Sequence, residues 1–423
     1  MNGMRSGSAG DEDAERYSRR RVLASGLGGV AASFAGCSER LSSVGAGADD
    51  ETDGLWEEWS FEDPPELDGW PSRQYDGRNL GWKPNTTGPT EDVDTAWSFD
   101  PGSDGRFGSS PVVADGRVFA GHEDGFLYAV DAASGDELWA ADTGGEIRWN
   151  SATVADGTVF VGSAGKRFWA FDAASGATRW SHEARWGIHS TPVVDGGRVF
   201  YADDDGYVYA LDAVTGELIW EIERSFGTRV QSGLAVADGT LFVMAGLLTA
   251  MDAATGEVLW TGDDGANNFP NGTPTVADGF VFGEFGQYLG VANTDGESLG
   301  GAFRFGGTGW GSPALARDKI FVGHTGGESH PTVRALTLRK SAVTTKWEVA
   351  WEVTTSRGCY GSPVVVDGTV YVGASDQLLA VDAESGERQW TMAMEIPDNT
   401  APAVVDGTLF AGSDRLYAIE EGA

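Results

Sequence analysis

Ser190 to Trp220 reads STPVVDGGRVFYADDDGYVYALDAVTGELIW. Three short apolar runs are split by Asp195-Gly196-Gly197 and by Asp203-Asp204-Asp205-Gly206. A third turn, Asp212-Ala213-Val214-Thr215-Gly216, leads into a fourth run that reaches Trp220. Apolar runs of about five residues between Gly/Asp turns are the pattern of strands buried on both faces. The last run differs, because Leu218, Trp220 and Ile222 alternate with Ile219, Glu221 and Glu223, as on a half-exposed outer edge. One unit is therefore a four-stranded antiparallel sheet that needs neighbours on both faces.

The neighbours repeat the pattern. Ser109–Trp139, Asn150–Trp180, the unit closing at Trp260 and the unit closing at Trp390 follow the same plan, and Trp139, Trp180, Trp220 and Trp260 stand 41, 40 and 40 residues apart. A period near 40 with four strands per unit predicts a β-propeller. Two units are worn. Gly272–Leu299 has Ala292 in the Asp position and Gly300 in the Trp position, and Gly311–Trp351 has Thr337 for Asp and a polar insertion. The last unit begins at Thr400 and stops at Ala423 before a fourth strand, while Ala96-Trp97-Ser98-Phe99 is left unmatched upstream. Joining the two completes an eighth blade and removes the open edge. The fold expected is an all-β, eight-bladed propeller over residues 69–423, closed by the Trp97 strand.

Ala-x-Asp-x-x-[Ser/Thr]-Gly-x-x-x-Trp occurs at Ala129–Trp139, Ala170–Trp180, Ala210–Trp220, Ala250–Trp260 and Ala380–Trp390. This motif resembles the pyrroloquinoline-quinone (PQQ)-type propeller repeat family, whose fold is an eight-bladed ring. Gly69-Trp70-Pro71, Asp76-Gly77-Arg78-Asn79 and Gly88-Pro89 resemble the lead-in of that family's non-enzymatic members, among them the propeller lipoprotein of the outer-membrane barrel-assembly machinery. The motif residues also have structural duties. Asp holds the turn backbone, Gly takes a positive φ, Ala allows close packing and Trp fills the gap between blades.

Upstream, Arg19-Arg20 precede a short apolar stretch, Val22–Ala35, which resembles a twin-arginine export signal. About 14 residues are too few to span a bilayer of about 30 Å. Ala35-Gly36-Cys37 resembles a lipobox with Phe34 in place of the usual aliphatic residue. Residues 1–36 are thus expected to be a lipoprotein signal peptide with Cys37 lipidated, in preference to Cys37 being the remnant of an ordinary cleaved signal. Residues 37–68, Ser/Gly-rich and then acidic, read as a disordered tether, with Trp56, Trp59 and Phe61 available to dock on the ring.

The formal charge of −35, the pI near 4.3 and five lysines against 24 arginines describe a heavily hydrated acidic surface. That surface excludes nucleic-acid partners and suits a monomer adapted to high salt. With Cys37 assigned to lipid, Cys359 is read as a small buried apolar residue.

The residues just ahead of each first strand ring one mouth of the channel. They include Trp149, His189, Trp310 and Tyr360, accompanied by Arg106, Arg148, Arg185, Arg229 and Arg357. Arginines gathered at one mouth of an acidic protein suggest an anion-attracting funnel with aromatic stacking surfaces. The competing reading pairs them with nearby carboxylates. His324-Thr325-Gly326-Gly327-Glu328-Ser329-His330 could offer a metal two imidazoles and a carboxylate, but solvated loop histidines are the preferred account, and Asp203–Gly206 reads as a turn.

The functional expectation is an exported scaffold anchored on the outer side of the cytoplasmic membrane. It would bind an envelope or surface protein, or a small anionic ligand, with no cofactor, metal or catalytic residue. The alternative is a PQQ-dependent dehydrogenase. The resemblance implies for such enzymes an adjacent cysteine pair, calcium held by acidic and amide side chains, and an Asp base; this sequence has no adjacent cysteines.

Overall fold

The computed structural model describes residues 57–223, 233–245, 247–262, 272–285, 287–297, 302–305, 307–309, 311–325, 330, 332–340 and 345–422. Seven blades are built from consecutive strands, with first strands starting at Val112, Thr153, Val193, Leu234, Thr275, Ala314 and Val364. In blade 3 the order is Val193–Asp195, Arg198–Ala202, Tyr207–Asp212 and Leu218–Glu223, each paired antiparallel with the next. The eighth blade joins the chain ends. Ala403–Val405, Thr408–Gly412 and Leu416–Glu421 are completed by Val93–Phe99, with Trp97 opposite Ala418. The eight-bladed all-β ring and its closure are as expected. In the worn fifth blade Phe303–Arg304 pairs with Leu289 and Tyr288 in the register that Ile222 and Glu223 have with Val208 and Tyr207 in blade 3.

The repeat motif does its work between blades. The Asp131 carboxylate accepts from the Ala133 and Ser134 amides (3.1 and 2.9 Å), which fixes the turn. Gly135 lies at φ 76, and a Cβ there would meet the Trp97 ring at 2.6 Å; only glycine serves both demands. Each closing Trp donates its indole N–H to the same turn of the next blade. Trp139 reaches Ala173 O, Trp180 reaches Ala213 O, Trp220 reaches Ala253 O, and Trp97 reaches Ala132 O at 3.0 Å. Blade 8 has no such turn, since its third and fourth strands belong to opposite chain ends. Trp390 donates to Pro89 O at 2.7 Å instead.

The lead-in segment threads the channel. Trp70 exchanges both backbone hydrogen bonds with Val113 of blade 1 (2.6 and 2.8 Å), and Pro71 O accepts from Val154 of blade 2. Gly77, Arg78, Leu80, Gly81 and Thr87 then offer their carbonyls to Val236, Val276, Leu315, Val365 and Gly407 of blades 4, 5, 6, 7 and 8, in that order, at 2.7–2.9 Å. First strands carry backbone groups that face the channel with no neighbouring strand, and this belt satisfies them. Further upstream, Glu57-Glu58 pair with Lys340-Arg339 of blade 6. Trp59 and Phe61 are buried against Phe280, Phe282 and Leu338, so the stretch expected as tether touches the ring from Glu57 onward.

Candidate binding site at the channel mouth

The mouth is built from the short segments entering each first strand. Gly108–Ser110 and Arg148–Ser151 pair in parallel, with Gly108 opposite Arg148 and Ser110 opposite Ser151. The second strand therefore carries one residue more than the first. This bulge puts Trp149 at φ 65, and bulges beside functional sites commonly re-aim a side chain. Trp149 is half-buried. The Arg148 guanidinium lies over its ring at 4.2 Å, and the His189 ring is 5.5 Å away. His189 Nδ1 is 2.8 Å from Asp204 Oδ1, which fixes the imidazole.

The other expected arginines do not converge on this cluster. Arg106 ion-pairs with Glu123 (3.2 Å), Arg148 with Glu146 (3.2 Å) and Arg185 with Glu221 (2.6 Å). Arg185 also covers the Tyr207 ring at 4.6 Å. Arg357 is exposed and Tyr360 half-buried. Arg229 and Trp310 lie outside the described residues, as do Arg19, Arg20 and Cys37. Among the described arginines, local pairing with carboxylates accounts for three of the four. The two histidines of the sixth-blade loop differ in setting: His324 is fully buried rather than solvated, stacks on Phe305 and donates through Nδ1 to Thr325 O, while His330 is exposed. Glu328 lies outside the described residues, and no group of three or more metal-ligating side chains converges among those described.

Two residues that sequence reasoning missed dominate the interior of the mouth. Arg73, from the belt, rises along the channel and is 2% exposed. It donates to Thr273 Oγ1 (3.4 Å), Ser362 Oγ (3.0 Å) and Asn399 Oδ1 (2.5 Å), on blades 5, 7 and 8. Burial lowers its pKa to about 10, so it remains a cation at neutral pH. Glu284 is the second. At this position of the second strand five of the other blades place glycine, while blade 3 has Ala202 and blade 4 Met244. In four of the five the following loop drives an apolar side chain or a cysteine against the glycine. Ile147 lies on Gly121, Ile188 on Gly162, Cys359 on Gly323 and Ile396 on Gly373. Blade 5 inverts the arrangement, with Glu284 on the strand and Gly309 on the loop, where a Cβ would fall 2.1 Å from Glu284 Oε2. Glu284 is 1% exposed, neither carboxyl oxygen has a partner among the described residues, and burial holds its pKa well above the ordinary carboxylate range. The signal was legible in the repeat, where FVFGEFG carries Glu in place of the Gly, Ala or Met of the other blades.

An eight-bladed ring with this repeat and a channel closed by its own lead-in defines the class as a PQQ-type propeller. The family model described as outer membrane protein assembly factor BamB matches residues 90–148, 123–228 and 204–422, and the chain belongs to this family. In sequence it is 36% identical over 85 residues to the 1-butanol dehydrogenase (cytochrome c) of Thauera butanivorans, a match covering 17% of this chain and 12% of that enzyme. In fold it resembles the quinohemoprotein alcohol dehydrogenase ADHIIG from Pseudomonas putida HK5 (TM-score 0.66, 16% identity, 84% of this chain and 80% of the other). It also resembles BamB from Moraxella catarrhalis (TM-score 0.58, 19% identity, 78% and 97%).

These likenesses correct one expectation. The chain was expected not to be an enzyme, yet the curated relative and the solved dehydrogenase are both enzymes of alcohol oxidation. The family's quinone was then tested against the mouth. The described residues bring no three metal-ligating side chains together, Cys359 has no cysteine beside it, and a guanidinium occupies the channel beneath the mouth. Among the described residues this donor set does not fit a calcium-bound quinone.

Proposed function

We propose that this chain is an exported, membrane-tethered binding propeller of the cell envelope, which holds a partner protein against its mouth face. The observation that carries this reading is Trp149, kept at φ 65 by a bulge with Arg148 stacked on its ring. A left-handed backbone costs a residue of this kind about 1–3 kcal/mol, and such strain clusters at ligand-binding sites. Trp and Arg are also the side chains that most often carry binding energy at protein interfaces. A channel filled by the chain's own lead-in offers a face rather than a passage, and membership of the BamB family supports a protein partner. Arg19-Arg20 and the small residues before Cys37 support export and a lipid tether on the outer side of the cytoplasmic membrane.

Site-specific photocrosslinking in intact cells tests the reading. A benzophenone amino acid at position 149 should capture one discrete protein that the same probe at the exposed rim residue Val214 does not. Identical patterns from both positions, or none from 149, would overturn it. Absorption spectra of the purified protein mixed with PQQ and calcium complete the test, because stoichiometric quinone binding would move the function to the dehydrogenase class.

A further inference from the structure

Beneath the mouth, the channel wall holds a ring of buried hydroxyls and a buried guanidinium with no counter-charge among the described residues. Ser110, Ser151, Thr191, Thr273, Ser312 and Ser362 occupy the same place in six repeats, immediately ahead of the residue that opens the first strand, and none is more than 3% exposed. Five of these hydroxyl oxygens accept a backbone N–H from the preceding blade. Ala401 gives to Ser110, Ser110 to Ser151, Ser151 to Thr191, Gly233 to Thr273, and Ser312 to Ser362, all at 2.9–3.2 Å. Thr273 and Ser362 accept from Arg73 as well. With the oxygens used as acceptors, the O–H protons remain as donors, and none meets an acceptor among the described residues. Ser312 Oγ has no partner among the described residues.

Arg73 adds the charge. Its Nε is buried without a partner, and no carboxylate lies within ion-pair distance of its guanidinium among the described residues. A buried ion without a counter-charge is destabilising, and so is each buried donor left unmet. A water molecule can accept from two of these hydroxyls, but it brings no charge, so it leaves the guanidinium without a counter-ion.

We propose that a compact monovalent anion, a halide or a small carboxylate, binds on the channel side of this hydroxyl ring against Arg73 Nε. It accepts from the ring hydroxyls and neutralises the guanidinium. Because Arg73 comes from the lead-in and the hydroxyls from the blades, the anion pins the belt to the ring. The site is independent of any partner at the mouth face.

The test compares thermal midpoints of the full chain in sodium bromide, sodium formate and sodium gluconate at equal sodium concentration. Gluconate is too bulky for the site. Bromide or formate should raise the midpoint over gluconate by about 2 °C or more, as ligand binding to the folded state requires. Kosmotropic anions are the ones that strengthen apolar burial in general, so a rise specific to bromide runs against the bulk salt trend. A rise in bromide identifies a halide site, and a rise in formate alone a carboxylate site. Bromide-soaked crystals should give an anomalous peak within hydrogen-bond reach of Arg73 Nε. Arg73→Gln should abolish the salt-specific rise. Should that variant fail to fold, Ser312→Ala removes one donor at little cost in volume and should weaken apparent bromide affinity several-fold while leaving the gluconate midpoint nearly unchanged. Equal midpoints in all three salts, or a bromide-specific rise with no anomalous peak in the channel, would overturn the proposal.

Discussion

Replacing Trp97 by alanine strikes the place where the two chain ends meet. The indole covers the Gly135 turn of blade 1, lies 5.9 Å from the Phe410 ring of its own blade, and donates to Ala132 O at 3.0 Å. A Trp offers roughly 200 Å² of surface. Trp97 is partly exposed, so about half to two thirds of that area, at about 25 cal/mol/Å², gives roughly 3 kcal/mol. The lost N–H···O bond adds about 1 kcal/mol. The variant should therefore lose roughly 3–4 kcal/mol, and the alanine leaves no polar group stranded except a carbonyl near solvent. Urea unfolding followed by tryptophan fluorescence measures the loss. With m of about 3 kcal/mol/M, the midpoint should fall by about 1 M. Trp139→Ala is the matched control, since Trp139 makes the same contacts with the Gly176 turn inside an uninterrupted stretch of chain. An unchanged midpoint for Trp97→Ala beside a lowered one for Trp139→Ala would refute closure through this strand.

Three further outcomes follow from the burial of single groups and from the surface charge. The Glu284 carboxyl has a folded pKa raised above its ordinary 4.5, so its contribution is fully present below 4.5 and is lost as pH rises towards the folded value, by at most about 1.4 kcal/mol per pH unit. Glu284→Gln should therefore gain on the wild type as pH rises through that interval, and a pH-independent gap between their denaturation midpoints would sink the argument. The Cys359 thiol is fully buried and its pKa is pushed up to about 12, so iodoacetamide should label it only in denaturant; stoichiometric labelling of the folded chain would contradict its placement. The charge of −35 should make folding fail at about 10 mM ionic strength and recover in molar salt as repulsion is screened, and circular dichroism across a salt titration would expose the error if the spectrum stayed folded throughout.

The ring was legible in the sequence because its signal is local and repeated. Buried strands, Gly/Asp turns and a Trp every 40 residues each reflect contacts made within one blade or with the next. The mouth was legible only in part. Trp149, Arg148 and His189 hold neighbouring repeat positions, and in the structure they lie against one another. The carboxylates that occupy the arginines were harder to foresee, because Glu123 and Glu221 are 17 and 36 residues from Arg106 and Arg185. The bulge under Trp149 leaves no mark on composition. Arg73 was invisible for a related reason, since its acceptors lie 200, 289 and 326 residues away and become neighbours only when the channel closes around it. Glu284 is the opposite case. The substitution of Glu for Gly stood in plain view in the repeat, but its meaning depended on Gly309, which makes room for the carboxyl in another loop.

A tandem repeat has no intrinsic last unit, so something outside the repeat must close the ring. Here about thirty residues ahead of the first blade do this twice, by different physics. Val93–Phe99 closes the outside through a strand ladder and one indole, acting only where blade 8 meets blade 1. The belt from Trp70 to Thr87 closes the inside through carbonyls given to seven of the eight blades, so its strength is spread around the whole circle. A perturbation at the outer seam should therefore open one junction and leave the others packed. Loss of Arg73 should loosen the hold on blades 5, 7 and 8 while the Trp97 junction stays shut. If the two perturbations were fully coupled in a double-mutant cycle, the closures would be one device, and the anion assigned to the inner one would have no separate part to stabilise.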